Sequence, residues 1–301
     1  MCQQKYFHNS CRGPRTTLAV IILVACRIGA AAEEQSGQCT DTGPDALIRS
    51  PTVTVSTLNV SHGRNTALNQ LFVSKKRTYK NLDRIAALLD EIDADFVALQ
   101  EADAASKWSG TFDHVQYLVD NTQYNCFIHG RHARSWMYSY GTALLSKSGL
   151  VDSRSIDFEP SPPTTTKGFV QAQIDWHVDG EIIPVTLISV HLDYSRKKVR
   201  DSQIEEMMAA LSDLESELII MGDLNSRWSD KRSHVRDLAQ GLGLEAHDPD
   251  AADLGTYKST TGKRLDWILV SPRLEFVEYK VLPDVVADHL AVYAEIRYRG
   301  E

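Results

Sequence analysis

The chain has 301 residues, 43% of them hydrophobic and 24% charged, and a formal net charge of −8. Those proportions suit a soluble globular chain, long for one domain but within range for an α/β sandwich. Four of the 32 basic residues and none of the 40 acidic ones fall within the first 32 positions, so the remainder carries −12, which argues against a broad nonspecific grip on nucleic acid. A phosphate substrate stays open, because a bound divalent cation can supply the positive charge the side chains lack.

Residues 1–32 read as a signal peptide or lipoprotein leader. Arg12 and Arg15 precede the apolar run LAVIILVA, which small residues follow; the run is too short to span a bilayer and reads as a secretory h-region. Two processing outcomes are open. Ala30-Ala31-Ala32 before Glu33 offers a signal-peptidase site, whereas Leu23-Val24-Ala25-Cys26 has the form of a bacterial lipobox, in which lipidated Cys26 would tether the protein to a membrane. Either way the expected destination is export, to the periplasm, the outer surface or the medium. Of five cysteines only Cys39 and Cys126 lie beyond the leader, and the sequence leaves open whether they pair. Residues 33–51 are polar, contain Gly37, Gly43, Pro44 and Pro51, and show no periodicity, which predicts a tether.

The folded domain is expected over 52–301. Residues 52–59 alternate as a strand, and Leu82, Ile85, Ala86, Leu89 and Ile92 mark one face of a helix. DFVALQ follows as a buried strand. Further strand patterns cover 124–129, 142–146, 169–178, 182–192, 218–222, 265–271, 275–282 and 291–298, with helices expected at 112–119, 199–215 and 234–242. Strands outnumber helices to the end, which suits an α/β class of two packed sheets with helices outside.

Six strand edges carry a polar residue that needs a reason to be there. TVSTLNV delivers Asn59, DFVALQE delivers Gln100 and Glu101, and VTLISVHLD delivers His191 and Asp193; LIIMGDLN delivers Asp223 and Asn225, RLDWILV begins at Asp266, and VVADHLAV holds Asp288 and His289. Any one alone is more often a cap or a satisfied turn residue. Together they offer hard carboxylate ligands without thiolates, which suits Mg2+ or Mn2+ rather than zinc, beside two histidines able to reach a phosphate.

The series LNVSHG, ALQEAD, GTALLSK, ISVHLD, MGDLNS, RLDWILV and ADHLAV resembles the endonuclease/exonuclease/phosphatase superfamily over roughly residues 53–297, in the family's order. The resemblance implies a four-layer α/β sandwich, two packed mixed β-sheets flanked by helices, with the site at the top of the sheets. It implies that Asp223 orients or deprotonates the attacking water and that Asn225 stabilises a phosphorane-like transition state, the two sharing one side of an extended segment. Glu101 would be the principal metal ligand with Asn59 beside it, and Asp288 would complete the metal site. His191 would hydrogen-bond a phosphoryl oxygen, and His289, held by Asp266, would face the same phosphate. The function so implied is an exported, Mg2+- or Mn2+-dependent phosphoester hydrolase acting on a lipid, small-molecule or nucleic-acid substrate. A catalytically inactive, surface-anchored binding module of the same fold is the alternative.

Two departures from the family pattern stand out: Ser61 replaces a second acid sometimes found two residues after the Asn, and Thr142 stands where many members have Asn. DPDAADLG fails as a calcium loop because Pro249 interrupts it, and HExxH, GxSxG, CxxC and GxxxxGK[ST] are absent. Basic residues cluster at Arg64, at 75–80, at 196–200 and at Lys263-Arg264, either as solvated turns or as a rim that attracts an anionic substrate. Trp108, Trp136, Tyr138 and Tyr140 could line a channel, face a membrane or pack locally.

Overall fold

The computed structural model describes residues 36–39, 47–257 and 262–300. The leader, with Cys26 and its processing site, lies outside the described residues, as does residue 301. The strands are β1 (Ser36–Cys39), β2 (Leu47–Ile48), β3 (Thr52–Asn59), β4 (Phe96–Asp103), β5 (Cys126–Arg134), β6 (Ser139–Ser146) and β7 (Val151–Asp157), then β8 (Gly168–Val178), β9 (Glu181–His191), β10 (Glu217–Asp223), β11 (Glu245–Ala246), β12 (Asp266–Val270), β13 (Leu274–Val281) and β14 (Val292–Tyr298). The helices are α1 (Lys75–Ile92), α2 (His114–Asp120), α3 (Lys197–Leu211) and α4 (His234–Leu242).

One sheet runs β1-β5-β6-β4-β3-β14-β13, the other β11-β12-β10-β9-β8, with β2 and β7 sharing the outer edge of β8. Both sheets are mixed: β3 lies parallel to β4, and β9 to β10, among antiparallel neighbours. Alternation along the strands explains the stacking. Val53, Val55, Phe96 and Ala98 turn inward from the first sheet onto Val170, Ala172, Ile174, Trp176, Leu187 and Ile219 of the second. The opposite faces are covered by helices, Leu82, Ile85, Leu89 and Leu118 over the first sheet, and Ile204, Met207, Val235 and Leu238 over the second. The result is the expected four-layer α/β sandwich.

The predicted tether needs correction over part of its length. Ser36–Cys39 pairs with β5 and Leu47–Ile48 with β8, each on a sheet edge. Such short edge strands need backbone hydrogen bonds on one side only, so they leave no hydrophobic period to read. Cys126 is disulfide-bonded, and Cys39 faces it in the β1–β5 register. Strand β7, VDSRSID, also escaped the pattern reading, because its edge position leaves most of its side chains partly or fully exposed.

Candidate active site

Register brings the polar strand tips into two rows. In the second sheet Gly168 faces His191, His191 faces Asp223, and Asp223 faces Asp266, so four adjacent strands end at one level. In the first sheet Asn59 faces Gln100, which faces Thr142. The rows meet across the seam: Asn59 Nδ2 donates to Asp223 Oδ2 (3.1 Å), and Gln100 Nε2 to Ser189 Oγ (3.1 Å). They open into a cleft of about 620 Å³ lined by His62, Arg64, Glu101, Trp108, Tyr140, Lys167, His191, Asp223, Asn225, Tyr257, Lys263, Asp288 and His289, among others.

Backbone irregularity aims several of these side chains. Glu101 is the extra residue of a bulge between Gln100 and Ala102, with φ 50°, which turns its carboxylate into the cleft. Ser61, His62 and Asn225 also hold positive φ, and such conformations cluster where a site over-determines its geometry. Gly222, just before Asp223, has φ 147°, and a Cβ there would lie 2.0 Å from Val190 O of β9. Glycine therefore lets β10 approach β9 closely enough to set Asp223 beside His191. Asn225 reaches the cleft by a turn rather than by strand periodicity: its N–H donates to Asp223 Oδ1 (3.0 Å) and its Nδ2 to Leu192 O (3.1 Å).

One cluster at the cleft is an acid–imidazole group. His289 Nδ1 sits 2.8 Å from Asp266 Oδ2, which Thr256 Oγ1 also contacts at 2.6 Å, and His289 Nε2 is 3.7 Å from Asp223 Oδ2. Burial works against charge on His289, but Asp266 and Asp223 outweigh it and raise its pKa. Burial pushes the Asp223 carboxyl up, helped by Asp266 and opposed by His289. His191 Nε2 lies 3.5 Å from the same Asp223 oxygen. These residues could exchange a proton with a bound water and donate to an anionic oxygen.

In a second cluster, Arg64 Nη1 lies 3.1 Å from Glu101 Oε2 and Nη2 lies 2.9 Å from Asp288 Oδ2. Two carboxylates from distant segments thus converge on one guanidinium. That donor chemistry fits Mg2+ or Mn2+, for which Arg64 would be the competing cation. Burial opposes ionisation of Glu101, yet the surrounding basic groups, His62 first, hold it well below the usual carboxylate range. Asn59, which faces Gln100 next to Glu101 in the ladder, donates to Asp223 and accepts from Ser61 N (3.0 Å). Ser61 Oγ, in the place of the expected second acid, hydrogen-bonds Asp288. Asp223, Asp266 and His289 form another buried set whose ligand atoms lie within 4.8 Å of one another, although there the imidazole already engages a carboxylate.

Three contributors were not singled out from the sequence. His62 Nε2 lies 3.2 Å from Glu101, while its Nδ1 is 2.6 Å from buried Asp103. Lys167 is buried with Nζ 3.3 Å from His191 Nδ1. The SHG triplet after Asn59 was a readable hint for His62; Lys167, in the aperiodic TTTKG, gave none. The expected basic rim shrinks: of its members only Arg64 and Lys263 line the cleft. Arg196 instead bonds Ser161 and Pro162 carbonyls, Arg200 is buried against Asp193 O and His234, and Arg264 stacks 4.0 Å over Trp267. Trp108 and Tyr140 line the cleft, Tyr138 packs on Trp108, and Trp136 is exposed.

The family model described as Endonuclease/Exonuclease/phosphatase family matches residues 56–289. Among solved structures, an endonuclease/exonuclease/phosphatase from Beutenbergia cavernae DSM 12333 aligns with TM-score 0.66 at 17% identity, over 83% of this chain and 72% of that one. A mannosyl-6-phosphatase from Bacteroides thetaiotaomicron VPI-5482 aligns at 0.60 and 17% identity, over 82% of this chain and 100% of that one. The human Nocturnin catalytic domain, with a bound sulfate, aligns at 0.60 and 15%, over 88% and 97%. No curated protein matches the sequence significantly. These identities speak for the fold alone, whereas the family match spans most of the chain. Members of this family are typically metal-dependent hydrolases of phosphoester bonds. Because that match runs from the third strand to the second of the paired histidines, the chain belongs to the endonuclease/exonuclease/phosphatase family.

Proposed function

We propose that this protein is an exported phosphoester hydrolase, dependent on Mg2+ or Mn2+, that attacks phosphorus with an activated water. The observation that carries the reading is the convergence of Asp223, His191 and His289 with Glu101 and Asp288 in the lining of a single cleft. A raised carboxyl pKa suits Asp223 to accept the proton of the attacking water. His289, kept protonated by Asp266 and Asp223, and Asn225, with one amide N–H beyond that used on Leu192 O, donate to the nonbridging oxygens where charge accumulates. Glu101 and Asp288 would hold the divalent cation, which when bound supplies charge stabilisation to the phosphoryl oxygens. The acidic body favours a small or lipid phosphoester over long nucleic acid. Export rests on the leader sequence and on the disulfide at Cys126, which suits an oxidising compartment.

Hydrolysis of bis-p-nitrophenyl phosphate and p-nitrophenyl phosphate, with Mg2+ or Mn2+ and with EDTA, tests the reading. Turnover should appear with metal and vanish with chelator. A folded protein that binds phosphate tightly yet turns over neither ester would instead identify a binding module. If Cys26 is the lipidated residue, Cys26→Ser should move the protein from the membrane to the soluble fraction; unchanged fractionation would remove the tether.

A further inference from the structure

Three histidines reach the cleft, and two have Nδ1 against a carboxylate: His62 on Asp103 at 2.6 Å and His289 on Asp266 at 2.8 Å. A carboxylate only accepts, so in those rings Nδ1 carries a proton. His191 is different. Its Nδ1 faces the Lys167 ammonium at 3.3 Å, and among the described residues no carboxylate oxygen lies at that nitrogen. Lysine offers donors and no acceptor.

The fold builds this contact. Gly168 stands opposite His191 in the β8–β9 ladder, which brings Lys167, the residue before it, alongside the ring. A Cβ at Gly168 would fall 2.3 Å from Ile156 O and 2.5 Å from His132 Nδ1, so the start of β8 is pressed against β7 and cannot shift outward. The Lys167 ammonium lies 5.7 Å from the Tyr140 ring centroid, and the side chain is 7% exposed. Burial lowers the lysine's pKa, and Glu101, Asp223 and Asp193 oppose that shift. An ammonium 3.3 Å from Nδ1 leaves that nitrogen as the acceptor, and burial and then Lys167 itself lower the His191 pKa well below its ordinary value.

The geometry points to Lys167 as a positioning residue that sets the tautomer of His191: by donating to Nδ1 it leaves the ring proton on Nε2, the nitrogen on the Asp223 side. This deepens the proposed function and rests on it, because a phosphoryl oxygen at that nitrogen needs a donor. The opposite tautomer would present a lone pair to an anion. Lys167 thereby does for His191, with reversed polarity, what Asp266 does for His289.

Nitrogen NMR of the full chain labelled with 15N-histidine tests the assignment, with His191→Asn identifying the signals. The expected result is an unprotonated Nδ1 and a protonated Nε2. In Lys167→Met the ring should shift toward Nδ1–H and kcat should fall at least about tenfold, while Lys167→Arg, which keeps an N–H donor, should retain the Nε2–H form. A protonated Nδ1 in the wild type overturns the inference without any variant, as does an unchanged tautomer in folded Lys167→Met. The ring signals are read whether or not the protein hydrolyses a phosphoester, so absent turnover would count against the proposed function and not against the tautomer assignment.

Discussion

Asp223 receives an amide from Asn59 and a backbone N–H from Asn225, lies within 3.7 Å of two imidazoles, and still has its pKa raised by burial. The folded state therefore bears a cost for that carboxylate, as sites built for reaction often do. Asp223→Ala should lower turnover by on the order of a hundredfold or more while the melting temperature stays level or rises. Near-normal turnover would remove the proton-accepting role. Arg64 is the complementary case, since its guanidinium joins Glu101 to Asp288. Arg64→Gln leaves those two carboxylates without their cation, so Mn2+ affinity measured by calorimetry should increase; weaker binding would mean that the arginine assists the metal instead of competing with it.

At the scale of strands, Gly222 separates a readable feature from a hidden one. MGDLN announces an acid and an amide at a strand end, but only the structure shows that a Cβ at Gly222 would strike Val190 O. Gly222→Ala should push β10 from β9, lower stability by at least about 2 kcal/mol, and reduce turnover by widening the Asp223–His191 spacing. Equal stability would show that the approach is not tight. Strands such as β3, β8 and β9 were legible because their apolar residues feed the cores on both faces of their sheets. Edge strands β2 and β7 were not, since few of their residues are buried. The candidate site divides in the same way. Asn59, Glu101, His191, Asp223, Asn225, Asp266, Asp288 and His289 could be picked out at strand tips, whereas the burial of Lys167 arises from tertiary neighbours that no local pattern encodes. Glu101 was found for its type, yet the bulge that aims it was invisible.

Among the described residues, burial lowers the pKa of several histidines, and they link stability to pH. His129 Nε2 lies 3.1 Å from Ala102 O, its Nδ1 has no partner among the described residues, and burial lowers its pKa to about 4. The unfolded chain takes up that proton near pH 6.5, the folded chain only near pH 4. Stability is therefore lost as pH falls through that window, by up to about 3 kcal/mol. His129→Gln, which keeps an amide donor for Ala102 O, should flatten the fall in melting temperature between neutral and acid pH. An undiminished fall would assign the acid sensitivity to other groups.

The two register rows stand on different sheets and touch through amide contacts such as Asn59 to Asp223. Neither row rests on a foundation of its own. Anything that pries the sheets apart, whether solvent, heat or a mechanical load, would part Asp223 on one sheet from Glu101 on the other. Turnover would then act as a gauge of the interlayer joint, falling silent while most of the secondary structure is still in place.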